Sequence, residues 1–106
     1  MDPLPMAPSC ALDEAGLRRQ LERYRQVGRG GRLVDRTRRC LVVELDERVD
    51  FGLVEEAIAT ERECCPFFEL DWRPAARRLT ISVSQVQDEP ALDAIAFALD
   101  LPLPTT

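Results

Sequence analysis

Cys64 and Cys65 stand side by side in the segment 61–66, where thiol and carboxylate side chains occur together. Thiolates are nucleophiles and soft metal ligands, and a carboxylate can bind a metal or accept a proton. A helix ended by Pro66 would place Glu61 on the face that carries both thiols, because residues three and four apart are neighbours. Adjacent residues diverge by about 100° around a helix, so both sulfurs can reach one ion only if the last turn is loosened.

A third thiol, Cys10, lies in a strand-like segment that a small sheet could bring beside the pair. Two or three sulfurs suit Cu(I), Hg(II) or trivalent arsenic, and Zn(II) would need Glu61 or water as a fourth ligand. The carbonyls at a helix C-terminus disfavour a thiolate, and a bound cation reverses that effect. We therefore expect Cys10, Cys64, Cys65 and Glu61 to bind a soft metal or metalloid ion, with no organic cofactor.

Two other uses of the cysteines stay open. The thiols could serve an enzyme or a redox protein that acts on a soft electrophile, which requires an open pocket. They could equally be packing residues of a non-catalytic interaction protein, such as a homodimer joined through sheet edges or through the first helix. Cys40, alone in a predicted strand, is expected to pack.

The composition excludes several kinds of site. The chain has no histidine, and all 14 of its basic residues are arginine. Zinc sites that use histidine, triads that use an imidazole base and covalent catalysis by lysine are thereby excluded. No apolar run approaches the roughly 20 residues of a membrane span, and residues 1–9 do not resemble a signal peptide. We expect a cytoplasmic protein with reduced thiols and no membrane partner.

Charge is divided unevenly along the chain. Residues 1–39 hold nine arginines and five acids, whereas residues 40–106 hold five arginines and fourteen acids, giving a net charge of -5. With one Trp, one Tyr and four Phe, the chain has few aromatic side chains to stack on bases. The arginines therefore indicate a solvated helix face, and a nucleic-acid partner is not expected.

The pattern along the chain predicts one small α+β domain. Residues 1–9 hold three prolines and should form a disordered arm, residues 10–101 the domain, and residues 102–106 a tail. Helical spacing predicts a first helix from the cap Asp13 to about Val27, with Leu17, Leu21 and Tyr24 on its apolar face. We expect the glycines that follow, Gly28, Gly30 and Gly31, to end it.

Alternating apolar residues predict extended segments within 32–46 and a hairpin over 67–84. Between them a helix begins at the cap Asp50 and ends at Pro66, and a last helix begins near Glu89 and Pro90. The predicted order is α-β-β-α-β-β-α. Such an order indicates a four-stranded, mainly antiparallel sheet with the helices packed on one face.

The stretch from Glu61 to Phe68, with Cys10-Ala11-Leu12 ahead of an arginine-bearing helix, resembles a known pattern. It is similar to a family of small, uncharacterised bacterial proteins marked by a Glu-Arg-x-Cys-Cys-Pro-Phe motif, over about residues 10 to 99. The resemblance implies that Cys10, Cys64 and Cys65 act as one set and that Cys40 lies outside it. It implies no particular activity. The Gly-Pro that commonly follows the last strand in that family is replaced here by residues 85–88, so no ligand contact from that loop carries over.

Overall fold

Three helices and four strands follow one another in the predicted α-β-β-α-β-β-α order, in a computed structural model that describes residues 13–101. The helices are α1 (Glu14–Arg29), α2 (Phe51–Cys64) and α3 (Glu89–Leu99); the strands are β1 (Gly31–Arg36), β2 (Cys40–Leu45), β3 (Glu69–Arg73) and β4 (Arg78–Ser82). The predicted arm, the predicted tail and Cys10 lie outside the described residues. None of the helices in the described range combines the length and apolar character that crossing a membrane requires.

The four strands form one sheet in the order β1-β2-β4-β3, and every neighbouring pair is antiparallel. Leu41 of β2 lies opposite Ile81 of β4, and Val43 lies opposite Leu79, so the two central strands present one continuous apolar face. All four side chains are buried. Side chains alternate between the two faces of a strand, and the helices cover this apolar face, which confirms the predicted α+β architecture.

The two helices that carry the site begin at the predicted caps. The Asp13 carboxylate accepts a hydrogen bond from the Gly16 N–H at 2.7 Å, and the Asp50 carboxylate accepts one from the Leu53 N–H at 3.2 Å. Such side chains satisfy backbone N–H groups that the first helical turn leaves unpaired. Helix α2 ends at Cys64, immediately before the C-cap residue Cys65, because the proline that follows cannot continue the helix.

The apolar face predicted for α1 is wrong in part. Its buried residues are Gly16, Gln20, Tyr24, Val27 and Gly28, whereas Leu21 is exposed. The helix is thus rotated so that a glutamine faces inward and a leucine faces solvent. Such an exchange costs hydrophobic free energy, so it needs a compensating polar contact for the glutamine.

The prediction that Gly28 ends α1 is wrong. Gly28 lies inside the helix, at a close contact with α3. A Cβ built on Gly28 would lie 1.8 Å from the Leu99 carbonyl oxygen, so only glycine permits this approach. Gly30 is the C-cap, and Gly31 begins β1. Gly28 therefore sets how closely α1 approaches the end of α3.

We expect Gly28→Ala to lower the free energy of unfolding by about 3 kcal/mol, because the added methyl group must push α1 and α3 apart. The matched control is Gly52→Ala in α2, whose methyl group would meet only the Asp50 carboxylate at 3.0 Å. That change should alter stability by about 1 kcal/mol or less. Urea denaturation of both variants measures the difference, and equal effects would show that the Gly28 contact does not constrain the helices.

Candidate thiol and carboxylate site

The inner stripe of α2 is apolar at its start and changes to carboxylate and thiol at its end. Val54, Ala57, Ile58, Glu61 and Cys64 follow one another at spacings of three and four, and all five are buried. Glu61 is 5% exposed. Gln20 of α1 is also a buried polar side chain, at 3% exposure. Glu61 and Cys64 therefore lie on the same face of α2, as predicted, and this face is directed toward the interior of the protein.

Two side chains of α1 hold the Glu61 carboxylate. The Tyr24 hydroxyl donates a hydrogen bond to Glu61 Oε1 at 2.6 Å, and Gln20 Nε2 donates to the same oxygen at 3.2 Å. Gln20 Nε2 also donates to the Ala57 carbonyl at 2.9 Å, one turn earlier in α2. Tyr24 and Gln20 thus both donate to Oε1 of this carboxylate.

Arg23 fixes the orientation of the Gln20 amide. Its guanidinium donates to Gln20 Oε1 at 2.9 Å, so the amide must turn its NH₂ group toward Glu61. The same guanidinium forms an ion pair with Glu56, with 3.4 Å between Arg23 Nε and Glu56 Oε1. Arg23 is thus linked to Glu61 through a neutral amide and does not pair with it directly.

Tyr24 interacts electrostatically with both the Glu61 carboxylate and the Cys65 thiol. Burial raises the pKa of Tyr24 well above its usual value, and the negative charge of Glu61 and the hydrogen bond to Glu61 raise this pKa further. The hydrogen bond to Gln20 opposes the shift, and the charge of a Cys65 thiolate adds to it. The Tyr24 phenol is therefore a neutral donor at neutral pH, within electrostatic range of Glu61 and of Cys65.

The two adjacent cysteines differ in backbone conformation. Cys64 is the last residue of α2, whereas Cys65 has φ -133° and ψ 75°, outside the helical region. The Cys65 N–H still donates to the Glu61 carbonyl at 2.8 Å. Both side chains are buried, at 6% and 2% exposure. The chain leaves the helix at the residue where we predicted that the last turn must loosen for both sulfurs to serve one site.

Cys40 lies elsewhere in the fold. It is half-buried in β2 opposite Ser82, next to the inward-facing Leu41. Since successive side chains of a strand point to opposite faces, Cys40 belongs to the sheet face that the helices do not cover. Among the described residues, Cys40 is thus separated by the sheet from Cys64 and Cys65, which lie at the end of α2 on the covered side.

Of the four predicted ligands, the structure brings Glu61, Cys64 and Cys65 to the end of α2, and Cys10 lies outside the described residues. Considered by themselves, residues 13–101 contain no group of three His, Cys, Asp or Glu side chains that could hold a metal. Gln20 was not predicted to belong to the site, and Tyr24 was predicted only for the apolar face of its helix. The sequence did contain an indication of this role: Gln20 lies four residues before Tyr24, so the two polar groups share one face of the helix.

Comparisons with protein-family models, with curated proteins and with solved structures find no match to this chain. A function therefore has to be inferred from the site itself.

We expect the free energy of unfolding to fall as the pH rises above about 10, the ordinary pKa of tyrosine. Because the pKa of Tyr24 is raised in the folded state, the unfolded chain ionises first, and the stabilisation present below pH 10 is lost at higher pH. Tyr24→Phe should be less stable at neutral pH by about 1.5–3 kcal/mol, the contribution of a hydrogen bond to a charged group. Its stability should then fall less steeply above pH 10.

Denaturation curves of both proteins from neutral to alkaline pH test this expectation. Tyr24 is the single tyrosine of the chain, so the ultraviolet absorbance of phenolate reports this residue alone. Parallel stability curves that keep a constant separation would show that the Tyr24 phenol does not titrate with a raised pKa.

Proposed function

We propose that this protein binds a soft metal or metalloid ion through the thiolates of Cys10, Cys64 and Cys65, with Glu61 as fourth ligand or proton acceptor. The observation that carries the proposal is the buried Glu61 carboxylate, held by two donors one helical turn before two buried thiols. Burying a carboxylate costs several kcal/mol even when it is partly compensated. Cysteines that only fill space between a helix and a sheet would not need such a group beside them.

The chemistry of metal binding gives each of these groups a role. A thiol must lose its proton before it binds a metal, and the end of a helix opposes that loss. A soft cation supplies the opposite charge. The Glu61 carboxylate, three residues before Cys64, is suited to receive the departing proton or to complete the coordination. Cu(I), Zn(II), Hg(II) and trivalent arsenic are the candidate ions for such ligands.

Cys10 is assigned to this set by its thiol chemistry and by its place in the sequence, three residues before the N-cap of α1, the helix whose Gln20 contacts Glu61. The resemblance to the Glu-Arg-x-Cys-Cys-Pro-Phe family, in which an early cysteine accompanies the pair, supports the same set.

Burial of the adjacent thiols favours ion binding over open-site thiol catalysis. Reactive cysteines are partly exposed and lie in electropositive surroundings. Cys64 and Cys65 are buried, with the Glu61 carboxylate one turn away. A cytoplasmic location belongs to the proposal, because reducing conditions keep the three thiols available to an ion.

Titration of the reduced protein with Cu(I), Zn(II), Hg(II) and arsenite should reveal binding of one ion per chain that depends on the thiols. The Cys10→Ser/Cys64→Ser/Cys65→Ser variant should lose this binding, because an alcohol does not replace a thiolate as a soft ligand. Calorimetry and the ultraviolet absorption of sulfur-to-metal charge transfer provide the readouts.

The matched control is Cys40→Ser, which changes the same chemical group on the uncovered sheet face and should bind as the wild type does. Circular dichroism establishes that both variants keep the fold. Equal binding by the wild type and the folded triple variant would remove the proposal. Loss of binding in Cys40→Ser would show that the ligand set has been wrongly assigned.

A further inference from the structure

We infer that the protein forms a symmetric dimer in which Phe97 of each copy enters an apolar groove of the other. The Phe97 side chain is 87% exposed, which is unusual for a large apolar residue in a folded domain. The inference goes beyond the proposed ion binding and does not depend on it, because the residues of the thiol site lie outside α3 and β1.

The second half of α3 is apolar on all sides. The charged residues of this helix, Glu89 and Asp93, lie in its first half. They form ion pairs with Arg39 and Arg36. The residues that follow, 94–99, are alanine, isoleucine, phenylalanine and leucine only. A helix without a polar face is normally buried all round, so this segment needs a cover on its outer side.

The fold of a single chain covers only one side of this segment. Ile95 and Leu99 are buried, each at 1% exposure. Phe97 lies two residues from both of them, and therefore about 200° away around the helix axis. At such an exposed position a phenylalanine adds no core packing and favours the helix less than alanine does. A second surface that buries Phe97 explains why it is there.

A groove of about 230 Å³ opens beside Phe97, where α3 lies over β1 and β2. Phe97 lines this groove but stays exposed, so it does not fill the groove of its own chain. The other lining residues are the apolar Leu33, Leu41, Ala96 and Leu101 and the charged Arg36 and Asp100. In a two-fold contact each copy presents the same patch, so a projecting side chain beside a matching groove is self-complementary.

The charges at the groove also favour a second copy as the occupant. Arg36 and Asp100 line it together, so one small patch carries both signs. None of the ion pairs within residues 13–101 uses Asp100. Across a two-fold axis, the Asp100 carboxylate of each copy can meet the Arg36 guanidinium of the other. A strongly acidic or strongly basic partner would meet repulsion from one of the two groups.

Backbone pairing between β1 edges is not the basis of this contact. The pairing of β1 with β2 shifts register between Leu33 and Asp35, where Val34 is the extra residue. Such a bulge twists an edge strand and blunts it against pairing with a further strand. The contact therefore depends on side chains of α3 and of the groove. An interface of this limited size should give a weak dimer, with a dissociation constant of about 1–100 μM.

Sedimentation equilibrium of the full-length protein between about 1 μM and 1 mM tests the inference. Phe97→Ala should weaken dimerisation by at least about 30-fold, the usual effect of removing an aromatic residue at the centre of an interface. The matched control is Val86→Ala, which shortens another exposed apolar side chain and should dimerise as the wild type does. Circular dichroism establishes that both variants keep the fold.

A wild type that stays monomeric throughout this range would overturn the inference and leave the groove to the residues after Leu101 or to a different protein. Undiminished dimerisation of Phe97→Ala would overturn it as well, because the copies would then meet through another surface.

Exchange of the two charges tests the assigned pairing. Arg36→Asp and Asp100→Arg should each dimerise at least about tenfold more weakly than the wild type, because like charges then face each other twice. An equimolar mixture of the two variants should recover the affinity of the wild type, since opposite charges face each other again at both places. A mixture that associates no better than either variant alone would contradict the two-fold contact.

The two proposals can fail separately. Ion binding is measured on the thiols of the chain, whereas dimerisation is measured on variants of Phe97, Arg36 and Asp100, which lie outside that site. Phe97→Ala should therefore bind ions as the wild type does, and the Cys10→Ser/Cys64→Ser/Cys65→Ser variant, provided that it folds, should still dimerise. Loss of dimerisation in that folded triple variant would overturn the assignment of the interface to α3 and β1.

Discussion

The hydrogen bond from the Tyr24 hydroxyl to Glu61 Oε1 is the interaction on which the rest of the site depends. A carboxylate at 5% exposure is stable in its charged form only when donors replace the water it has lost. Tyr24 and Gln20 supply these donors from α1. They join the two helices at the place where the backbone leaves α2. The thiols that follow are thereby held beside a fixed negative charge.

The same requirement explains the rotation of α1. Turning Gln20 inward while Leu21 stays at the surface makes sense only because the Gln20 amide bonds both Glu61 and the Ala57 carbonyl. Farther along the helix, the missing side chain of Gly28 lets the Leu99 carbonyl approach the α1 backbone. A polar contact to α2 near the middle of the helix and a steric contact to α3 near its C-terminus thus fix the position of α1 against the other two helices.

The order of the elements could be predicted from the sequence, because helical and strand periodicities are local properties and Asp13, Asp50 and Pro66 mark helix ends. The common face of Glu61 and Cys64 was predictable for the same reason, since spacing within one helix determines it. The partners of Glu61 were not, because contacts between helices depend on how the helices pack. Gly28 was misassigned on similar grounds, as its neighbour Leu99 is far away in sequence.

A double-mutant cycle tests most directly whether a buried charge is held across the two helices. Unfolding free energies would be measured for the wild type, Tyr24→Phe, Glu61→Leu and the double variant. If the Tyr24 phenol stabilises the carboxylate, the two substitutions should be coupled by at least about 1.5 kcal/mol, within the range found for contacting residues. Effects that add to within about 0.5 kcal/mol would contradict the account, because residues without a shared interaction behave in that way.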